Sequence, residues 1–193
     1  MQRRTAVLAL LSALSVTRGA HALATGPRRT QPVQWIVIHS TGGPTCDAAS
    51  GQPVWVHAGT LEQDLRELEA HPKLGIHYMI GRDGTVRASV PEERIAHHVF
   101  HYSTSSLGIE LVNEGDGVDP FPDAQIDALV ALLRELVRRH PLARERLVRH
   151  SDLDHGRLSC DRARPRKVDP GAGFPLEAVR ERVFAPAAGA TGR

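Results

Sequence analysis

The sequence predicts one α/β domain in which a mixed central β-sheet is flanked by helices. Three observations support this fold class. The length of 193 residues suits a single domain of about 100–200 residues. Short runs of apolar and β-branched residues alternate along the chain with longer segments of helical periodicity, and such interleaving within one domain is typical of α/β proteins. A composition of 41% hydrophobic and 24% charged residues is sufficient for a packed core.

The N-terminal segment, residues 1–22, has the layout of a secretory signal peptide. Arg3 and Arg4 precede an uncharged run over residues 5–16, and a segment with small residues at alternate positions ends at Ala22. The uncharged run is too short for a stable transmembrane anchor, which needs about 20 apolar residues. A buried N-terminal helix is the alternative. The sequence therefore predicts an exported protein, periplasmic or secreted, after removal of this segment.

The charge and composition of the chain argue against nucleic-acid binding. The formal net charge of +2 comes from 24 basic and 22 acidic residues. Cleavage after Ala22 would remove three arginines, which leaves 21 basic residues against 22 acidic ones and a net charge of −1. Because aromatic residues also make up only 4% of the chain, we expect no nucleic-acid binding. The mature domain, residues 23–193 with a core over about 33–184, is expected to be a monomer without an integral membrane segment.

The first predicted strand is followed by a loop and a helix. Residues 35–40, WIVIHS, are apolar and β-branched and precede Gly42, so they suit a buried strand that ends in a loop. His39 therefore lies at the carboxyl end of a strand. A helix is predicted over residues 60–70, with Thr60 as its cap and three leucines on one face.

A hairpin and a further strand come next along the chain. Residues 76–80 and 85–90 flank Asp83-Gly84, and Asp-Gly is a strong signal for a tight turn between two strands. Residues 106–112, SLGIELV, form another predicted strand. Together with the first strand, these segments supply the predicted central sheet.

The C-terminal half is predicted to contain two helices separated by a long loop. Residues 123–140 carry a broad apolar stripe at helical spacing, which we interpret as a core face rather than a groove for a partner. A loop rich in arginine, proline and glycine covers residues 151–173. A short helix over residues 176–183 closes the predicted fold.

Two histidines and one aspartate are candidate metal ligands. His39 ends a buried strand, His150 ends a short apolar stretch, and Asp169 lies in the segment KVDPG before a turn. Two neutral imidazoles and one carboxylate are a usual protein ligand set for catalytic zinc. On spacing alone, the alternative is that these histidines are scattered over the core and the surface.

Four motifs occur in the order in which one enzyme family carries them. They are IVIHST, which contains His39, then HYMIGRDGTVRASVPEERIAHHV, SLGIELVNEG, and RHSD followed by KVDPGAGF. With these motifs the chain resembles the type-2 N-acetylmuramoyl-L-alanine amidases over about residues 35–174. The resemblance implies the zinc amidase fold that this family shares with peptidoglycan recognition proteins.

The resemblance implies that His39, His150 and Asp169 are the ligands of a Zn²⁺ ion. The arginine-rich segment after His150 is longer than the corresponding family loop, and it contains two further candidates for the third ligand, Cys160 and Asp161. We keep Asp169 because the pattern Lys-x-Asp-Pro-Gly matches the family as a unit.

The resemblance also implies roles for four other residues. Glu110, in GIEL, and Lys167 fall on the catalytic glutamate and the catalytic lysine of the family. We expect Glu110 to transfer protons and Lys167 to stabilise the tetrahedral oxyanion. His98 matches a histidine of the substrate groove, and Asn113 lies near the expected path of the muropeptide.

The two cysteines of the chain are candidates for a disulfide. Cys46 follows His39 by seven residues, and Cys160 follows His150 by ten. If both histidines bind one zinc ion, as the resemblance implies, the two loops are neighbours, and an exported protein can keep a disulfide between them. Two free thiols are the alternative.

The sequence therefore predicts a zinc-dependent, exported N-acetylmuramoyl-L-alanine amidase. Its substrate would be peptidoglycan or muropeptides, cleaved between N-acetylmuramic acid and L-alanine. A non-catalytic peptidoglycan-binding module is one alternative, although binding alone does not require Glu110 and Lys167. A zinc hydrolase of another amide is the second alternative, because a fold does not fix the substrate.

Overall fold

The computed structural model describes residues 17–18 and 26–186. The predicted signal peptide, residues 1–22, lies outside this part of the chain apart from two residues of strand β1. The strands are β1 Thr17–Arg18, β2 Trp35–Ser40, β3 Gly43–Cys46, β4 Pro53–Val56, β5 Tyr78–Ile80, β6 Val86–Ala88, β7 Ser106–Leu111 and β8 Leu147–Arg149. The α-helices are α1 Leu61–Ala70, α2 Asp123–Arg139 and α3 Leu176–Phe184, and short 3-10 helices cover Ser103–Ser105, Arg144–Arg146 and His150–Asp152.

Six of the strands form one mixed sheet in the order β1-β6-β5-β7-β2-β8. Strands β5 and β6 pair antiparallel, and the other neighbouring pairs are parallel. Gly84, in the turn between β5 and β6, adopts a φ of +84°, a conformation that glycine reaches without steric cost. The predicted α/β class with a mixed central sheet is confirmed.

Strands β2 and β7 are neighbouring interior strands of the sheet, and most of their residues are apolar. All residues of β2 after Trp35 are buried, as parallel strands covered on both sides require. The parallel register places His39 opposite Glu110. Strand β8 pairs with the other edge of β2 and leads directly into His150. Three candidate residues thus reach the edge where the carboxyl ends of parallel strands meet, which is the usual position of ligand sites in such sheets.

Helices cover both faces of the sheet. Helices α2 and α3 share a core with Ile36, Ile38 and other inward-facing residues of the sheet. Helix α1 covers the opposite face, where Leu65 packs with Met79 of β5 and with Val112. The apolar stripe of α2 is therefore a core face, as predicted.

The predicted helix boundaries are confirmed to within one or two residues. Thr60 caps α1, because its hydroxyl accepts a hydrogen bond from the backbone N–H of Gln63 and its own N–H donates to the Gln63 side chain. Among the described helices, none combines the length and the hydropathy that are needed to cross a membrane.

The sequence does not predict the small hairpin that follows the first central strand. Strands β3 and β4 pair antiparallel from Gly43 opposite Val56 to Cys46 opposite Pro53. Each strand has only four residues, and the prolines within them are typical of loops. A two-stranded ribbon tolerates them because both of its strands are edge strands.

Candidate metal centre

Two buried histidines and one buried aspartate meet at the carboxyl ends of the parallel strands. The ligand atoms of His39, His150 and Asp169 all lie within 4.8 Å of one another. Nδ1 of His39 lies 3.2 Å from Oδ2 of Asp169, and Nδ1 of His150 lies 2.9 Å from the same oxygen. At most 7% of each side chain is exposed, so bulk water does not solvate the cluster.

Asp169 reaches the histidines from a loop rather than from a strand. Its backbone carbonyl group accepts a hydrogen bond of 3.1 Å from the N–H of Ser151, the residue after His150. This bond joins the end of the long loop to its beginning. The loop therefore presents Asp169 next to the histidine at which it starts.

The structure brings Asp169, and not the alternative candidates, to the two histidines. Cys160 is part of a disulfide with Cys46. The carboxylate of Asp161 forms an ion pair of 3.0 Å with Arg164. Both side chains are thus engaged away from the two histidines.

Burial and mutual contacts set the charges of the cluster. Burial, followed by the neighbouring His150, lowers the pKa of His39 to about 4, so this imidazole is neutral at pH 7. Burial would raise the pKa of Asp169, but the hydrogen bonds with His150 and His39 outweigh it and hold that pKa far below its usual range. A neutral imidazole and an ionised carboxylate are the protonation states that a metal ion requires.

The donor set fits a zinc ion. Two imidazoles and one carboxylate leave the fourth tetrahedral position for water or substrate. Nε2 of His150 is buried without a hydrogen-bond partner in the described structure, and it lies 3.8 Å from Oδ2 of Asp154. A histidine that binds a metal commonly directs its second ring nitrogen to a carboxylate. Asp154 therefore lies where a residue that orients His150 is expected.

Glu110 lies beside the cluster, on β7 opposite His39. Burial, and next the negative charge of Asp169, raise the pKa of Glu110 to about 8, whereas the positive charge of Lys167 acts in the opposite direction. A carboxyl group with a pKa near neutrality can take up and release a proton at physiological pH. The surroundings of Glu110 thus suit proton transfer.

Lys167 shares this electrostatic environment. Its positive charge lowers the pKa of Glu110 and also that of His39. Because Lys167 precedes Asp169 by two residues, the loop that presents the aspartate also presents this partly buried lysine. The five residues that were predicted as ligands or catalysts therefore converge on one site.

His98 is bound within the protein through both ring nitrogens. Its Nδ1 lies 2.9 Å from Nε2 of His39, and its Nε2 lies 3.0 Å from Oγ of Ser106. The predicted contact of His98 with a substrate has no support in this geometry, because neither ring nitrogen is free.

Asn113 is buried, and its amide is bound by the loop that follows it. Nδ2 donates to the carbonyl oxygens of Asp119 and Pro120, at 3.2 and 3.4 Å, and Oδ1 accepts from the N–H of Gly115 at 2.9 Å. These contacts shape the loop after β7. They give the predicted substrate-binding role of Asn113 no support.

The predicted disulfide is present in the structure. Cys46 of β3 and Cys160 of the arginine-rich segment are joined with an S–S distance of 2.08 Å. Further along the same segment, the guanidinium group of Arg166 donates to both oxygens of Asp154, at 2.8 and 2.7 Å. The segment between the two candidate ligands His150 and Asp169 is thus cross-linked to the hairpin and to its own first turn.

Sequence reasoning missed two residues near the candidate ligands: Asp154, which lies close to His150, and Ser106, which contacts His98, the neighbour of His39. Asp154 follows His150 by four residues, and an acidic residue so close to a candidate ligand is a signal that could have identified it. Ser106 is the first residue of a predicted strand, and no sequence pattern distinguishes it from an ordinary polar strand end.

Comparisons with known proteins identify the family to which the chain is similar. The sequence profile of a family described as N-acetylmuramoyl-L-alanine amidase matches residues 29–172. The 1,6-anhydro-N-acetylmuramyl-L-alanine amidase AmpD of Enterobacter cloacae is 34% identical to this chain over 144 residues, which cover 69% of this chain and 67% of that protein.

Solved structures of amidases have the same fold. The N-acetylmuramoyl-L-alanine amidase LysC of Clostridium intestinale aligns with a TM-score of 0.64 and 20% identity, over 88% of this chain and 97% of that one. The amidase AmiD of Escherichia coli, in complex with anhydro-N-acetylmuramic acid-L-Ala-D-gamma-Glu-L-Lys, aligns with a TM-score of 0.59 and 26% identity, over 84% of this chain and 60% of that one.

Proposed function

This chain belongs to the N-acetylmuramoyl-L-alanine amidase family, and on that premise we propose that it is a zinc-dependent hydrolase of the amide bond between N-acetylmuramic acid and L-alanine. Membership of this family makes the chain a peptidoglycan amidase. The observation that carries the proposal is the buried cluster of His39, His150 and Asp169 beside Glu110 and Lys167.

We assign the zinc ion to His39, His150 and Asp169. When bound, the ion would polarise the scissile carbonyl group and lower the pKa of a water ligand towards about 7. The choice of zinc rests on the ligand types, since three protein ligands of this kind with one open position are typical of catalytic zinc sites.

Glu110 is the residue that we assign to proton transfer. Hydrolysis of an amide needs a base for the attacking water and an acid for the departing amine, because an amide nitrogen is a poor leaving group. As a carboxylate, Glu110 would take the proton of the water; as a carboxylic acid, it would give that proton to the nitrogen of L-alanine. The raised pKa of Glu110 supports the second step, because the group holds the proton until the leaving nitrogen needs it.

Lys167 is the residue that we assign to stabilisation of the oxyanion. Attack on the amide turns the carbonyl oxygen into an anion. The partly buried Lys167 supplies a positive charge at the site, and a fixed charge or donor in such a position commonly lowers the barrier by about 3–4 kcal/mol.

The substrate class that we propose is muropeptides, including those with a 1,6-anhydro sugar. Support comes from the relative in Enterobacter cloacae, which is described as a 1,6-anhydro-N-acetylmuramyl-L-alanine amidase. The structural relative AmiD was solved with an anhydromuramyl peptide, which points to the same class.

We further propose that the protein is exported and acts in the periplasm or outside the cell. Support comes from the signal-like residues 1–22 and from the disulfide between Cys46 and Cys160, because disulfides persist in oxidising compartments. Cell fractionation and mass measurement test this proposal. A protein that starts at Leu23, and therefore lacks the two-residue edge strand β1, is expected outside the cytoplasm. An uncleaved cytoplasmic protein with free thiols would contradict export.

Incubation of the zinc-loaded protein with purified muropeptides tests the activity. Matched substrates, an N-acetylmuramyl tripeptide and its 1,6-anhydro form, are analysed by mass spectrometry. Release of a free stem peptide with an N-terminal L-alanine is the expected result.

Two other outcomes would each replace the proposal. Retention of muropeptide without any release would identify a binding module. Cleavage within the stem peptide, with the lactyl-alanine bond intact, would identify a hydrolase of another amide.

A further inference from the structure

A chain of hydrogen bonds runs from the candidate ligand His39 to the backbone of the loop before β7. Nε2 of His39 lies 2.9 Å from Nδ1 of His98, and Nε2 of His98 lies 3.0 Å from Oγ of Ser106. Oγ of Ser106 lies 2.9 Å from the carbonyl oxygen of Tyr102. Ser106 is fully buried, and His98 and Tyr102 are partly buried. We call this chain the His98 relay.

The carbonyl group of Tyr102 sets the direction of the protons along the His98 relay. A carbonyl oxygen only accepts, so the hydroxyl group of Ser106 donates to it. The Ser106 oxygen then accepts from the Nε2–H of His98, which leaves Nδ1 of a neutral His98 as an acceptor. His39 therefore donates from Nε2, and its lone pair is on Nδ1, the nitrogen that faces Asp169 at 3.2 Å.

We propose that His98 and Ser106 are positioning residues that hold His39 in the tautomer whose Nδ1 is free to bind the metal. The inference rests on the zinc site proposed above. Without a metal ion, a proton on Nδ1 of His39 would allow the hydrogen bond to Asp169 that lowers the pKa of this carboxylate. In the tautomer that the relay favours, the Nδ1 lone pair instead faces the carboxylate oxygen at 3.2 Å, an arrangement that is favourable only with a cation between them, so it is the tautomer of a metal-bound His39.

The backbone around His98 fixes the position of its ring. Gly108 stands two residues after Ser106 on the same face of β7, and a Cβ atom there would lie only 2.7 Å from Nδ1 of His98. Ser103 accepts a hydrogen bond of 3.1 Å from the N–H of His98, and its hydroxyl donates to the carbonyl oxygen of Val99 at 2.7 Å. The ring is thus held directly against the strand that carries the relay.

The His98 relay gives His98 a role at the metal rather than at the substrate. Partners of this kind fix the orientation of a ligating imidazole and raise its basicity, and their loss typically weakens metal binding about 10–100-fold. His98 would act through His39 and would not touch the reacting atoms.

The tautomers of the zinc-loaded wild-type protein can be read directly by long-range ¹H–¹⁵N correlation spectroscopy of its histidines. The His98 relay predicts that both His39 and His98 carry their proton on Nε2. A proton on Nδ1 of His98 would overturn the inference. This measurement does not depend on whether any variant folds.

The zinc affinity of Ser106→Ala, measured by competition with a chelator, tests the far end of the relay. We expect binding about 10–100-fold weaker than in the wild type, because the Nε2–H of His98 loses its acceptor. Ser105→Ala is the matched control, because the Ser105 hydroxyl lies 3.4 Å from the same Tyr102 oxygen whereas the hydrogen bond to His98 comes from Ser106. The control should bind zinc like the wild type.

Substitutions of His98 separate the hydrogen bond from the packing of the ring. In His98→Asn the side-chain oxygen can take the place of Nδ1 as acceptor, so most of the zinc affinity should be retained. In His98→Leu no acceptor is left, and the affinity should fall about 10–100-fold. Equal affinities of the two variants would contradict the relay.

Failure of the relay and failure of the proposed function give different results. Wild-type affinity in Ser106→Ala would contradict the relay alone and leave the metal centre intact. No zinc uptake by the wild-type protein would contradict the metal centre and the relay together.

Discussion

The two halves of the candidate metal centre are held in place by different means. The sheet half consists of His39 and Glu110, which stand opposite each other on the parallel strands β2 and β7. The loop half, residues 150–173, supplies His150, Lys167 and Asp169, and its regular structure is limited to one short 3-10 helix. Both halves are buried at the point where they meet.

The difference shows what replaces backbone pairing when a site is built from a loop. In the sheet half, the hydrogen bonds between β2 and β7 fix the backbone, and the His98 relay only has to orient one ring. In the loop half, the disulfide between Cys46 and Cys160 and the ion pair between Arg166 and Asp154 provide the constraints. We therefore expect substitutions at Glu110 to change the chemistry with little change in stability, and loss of the cross-links to change local order first.

The largest expected effect is on turnover, from a change in the sheet half. In Glu110→Gln the group can no longer exchange a proton, so kcat should fall about 10²–10⁴-fold while zinc content stays at the wild-type level. Steady-state hydrolysis of a muropeptide and metal analysis of the same sample check both statements. Glu181→Gln, on the exposed face of α3, is the matched control and should keep full activity. Loss of zinc from Glu110→Gln would mean that Glu110 is a ligand.

The corresponding change in the loop half is Lys167→Ala. We expect kcat to fall about 10²–10³-fold, because the developing oxyanion loses its positive partner. Zinc content should again be unchanged, which distinguishes this effect from disorder of the loop. If the variant also loses zinc, Lys167 has a structural role in presenting Asp169.

Removal of the disulfide should lower the stability of the protein rather than stop the chemistry. The bridge spans 114 residues, and its replacement in Cys46→Ser/Cys160→Ser should lower the free energy of unfolding by about 2–4 kcal/mol. Urea unfolding measures this change. Hydrogen exchange should increase in residues 150–173 and stay low in β2 and β7. A uniform increase over both halves would contradict the claim that the disulfide constrains the loop half in particular.

A smaller effect on the free energy of unfolding is expected at acid pH. It comes from Glu92, whose partners lie on β5 and at the end of α2. Burial would raise the pKa of Glu92, but hydrogen bonds with Arg139, Tyr78 and His140 outweigh it and lower the pKa to about 2, from a usual value of 4.5. Because the folded protein holds this carboxylate ionised, its contribution is complete above pH 4.5 and is lost as the pH falls towards 2.

Unfolding of Glu92→Gln across this pH range measures that contribution. The variant should be less stable than the wild type by about 1–3 kcal/mol at pH 7, and the difference should shrink towards pH 2. Glu93→Gln changes an exposed neighbour and should show no such dependence. A pH-independent difference for Glu92→Gln would point to lost packing instead of lost charge.

Most of the fold could be predicted from the sequence because its signals are local. The apolar run of β2, the Asp83-Gly84 turn and the stripe of α2 each specify an element within a few residues. The hairpin of β3 and β4 could not be predicted, because its short proline-containing strands depend on a distant partner, the loop that carries Cys160.

The three residues of the candidate metal cluster could be predicted from the sequence, but the residues that contact them could not. His39, His150 and Asp169 were identified through the resemblance to a family, with motifs that can be read along the chain. The bonds from His39 to His98 and on to Ser106 depend on how a loop packs over β7, and residues 59 positions apart in sequence give no local signal of such a contact.

The central claim is that the two halves of the site share one zinc ion, and the metal content of the purified protein tests it most directly. After dialysis against zinc and removal of excess metal, elemental analysis should give one zinc ion per wild-type chain. His39→Ala, from the sheet half, and Asp169→Ala, from the loop half, should each retain almost none. A wild-type protein without zinc, or a variant of either half that keeps it, would contradict the account.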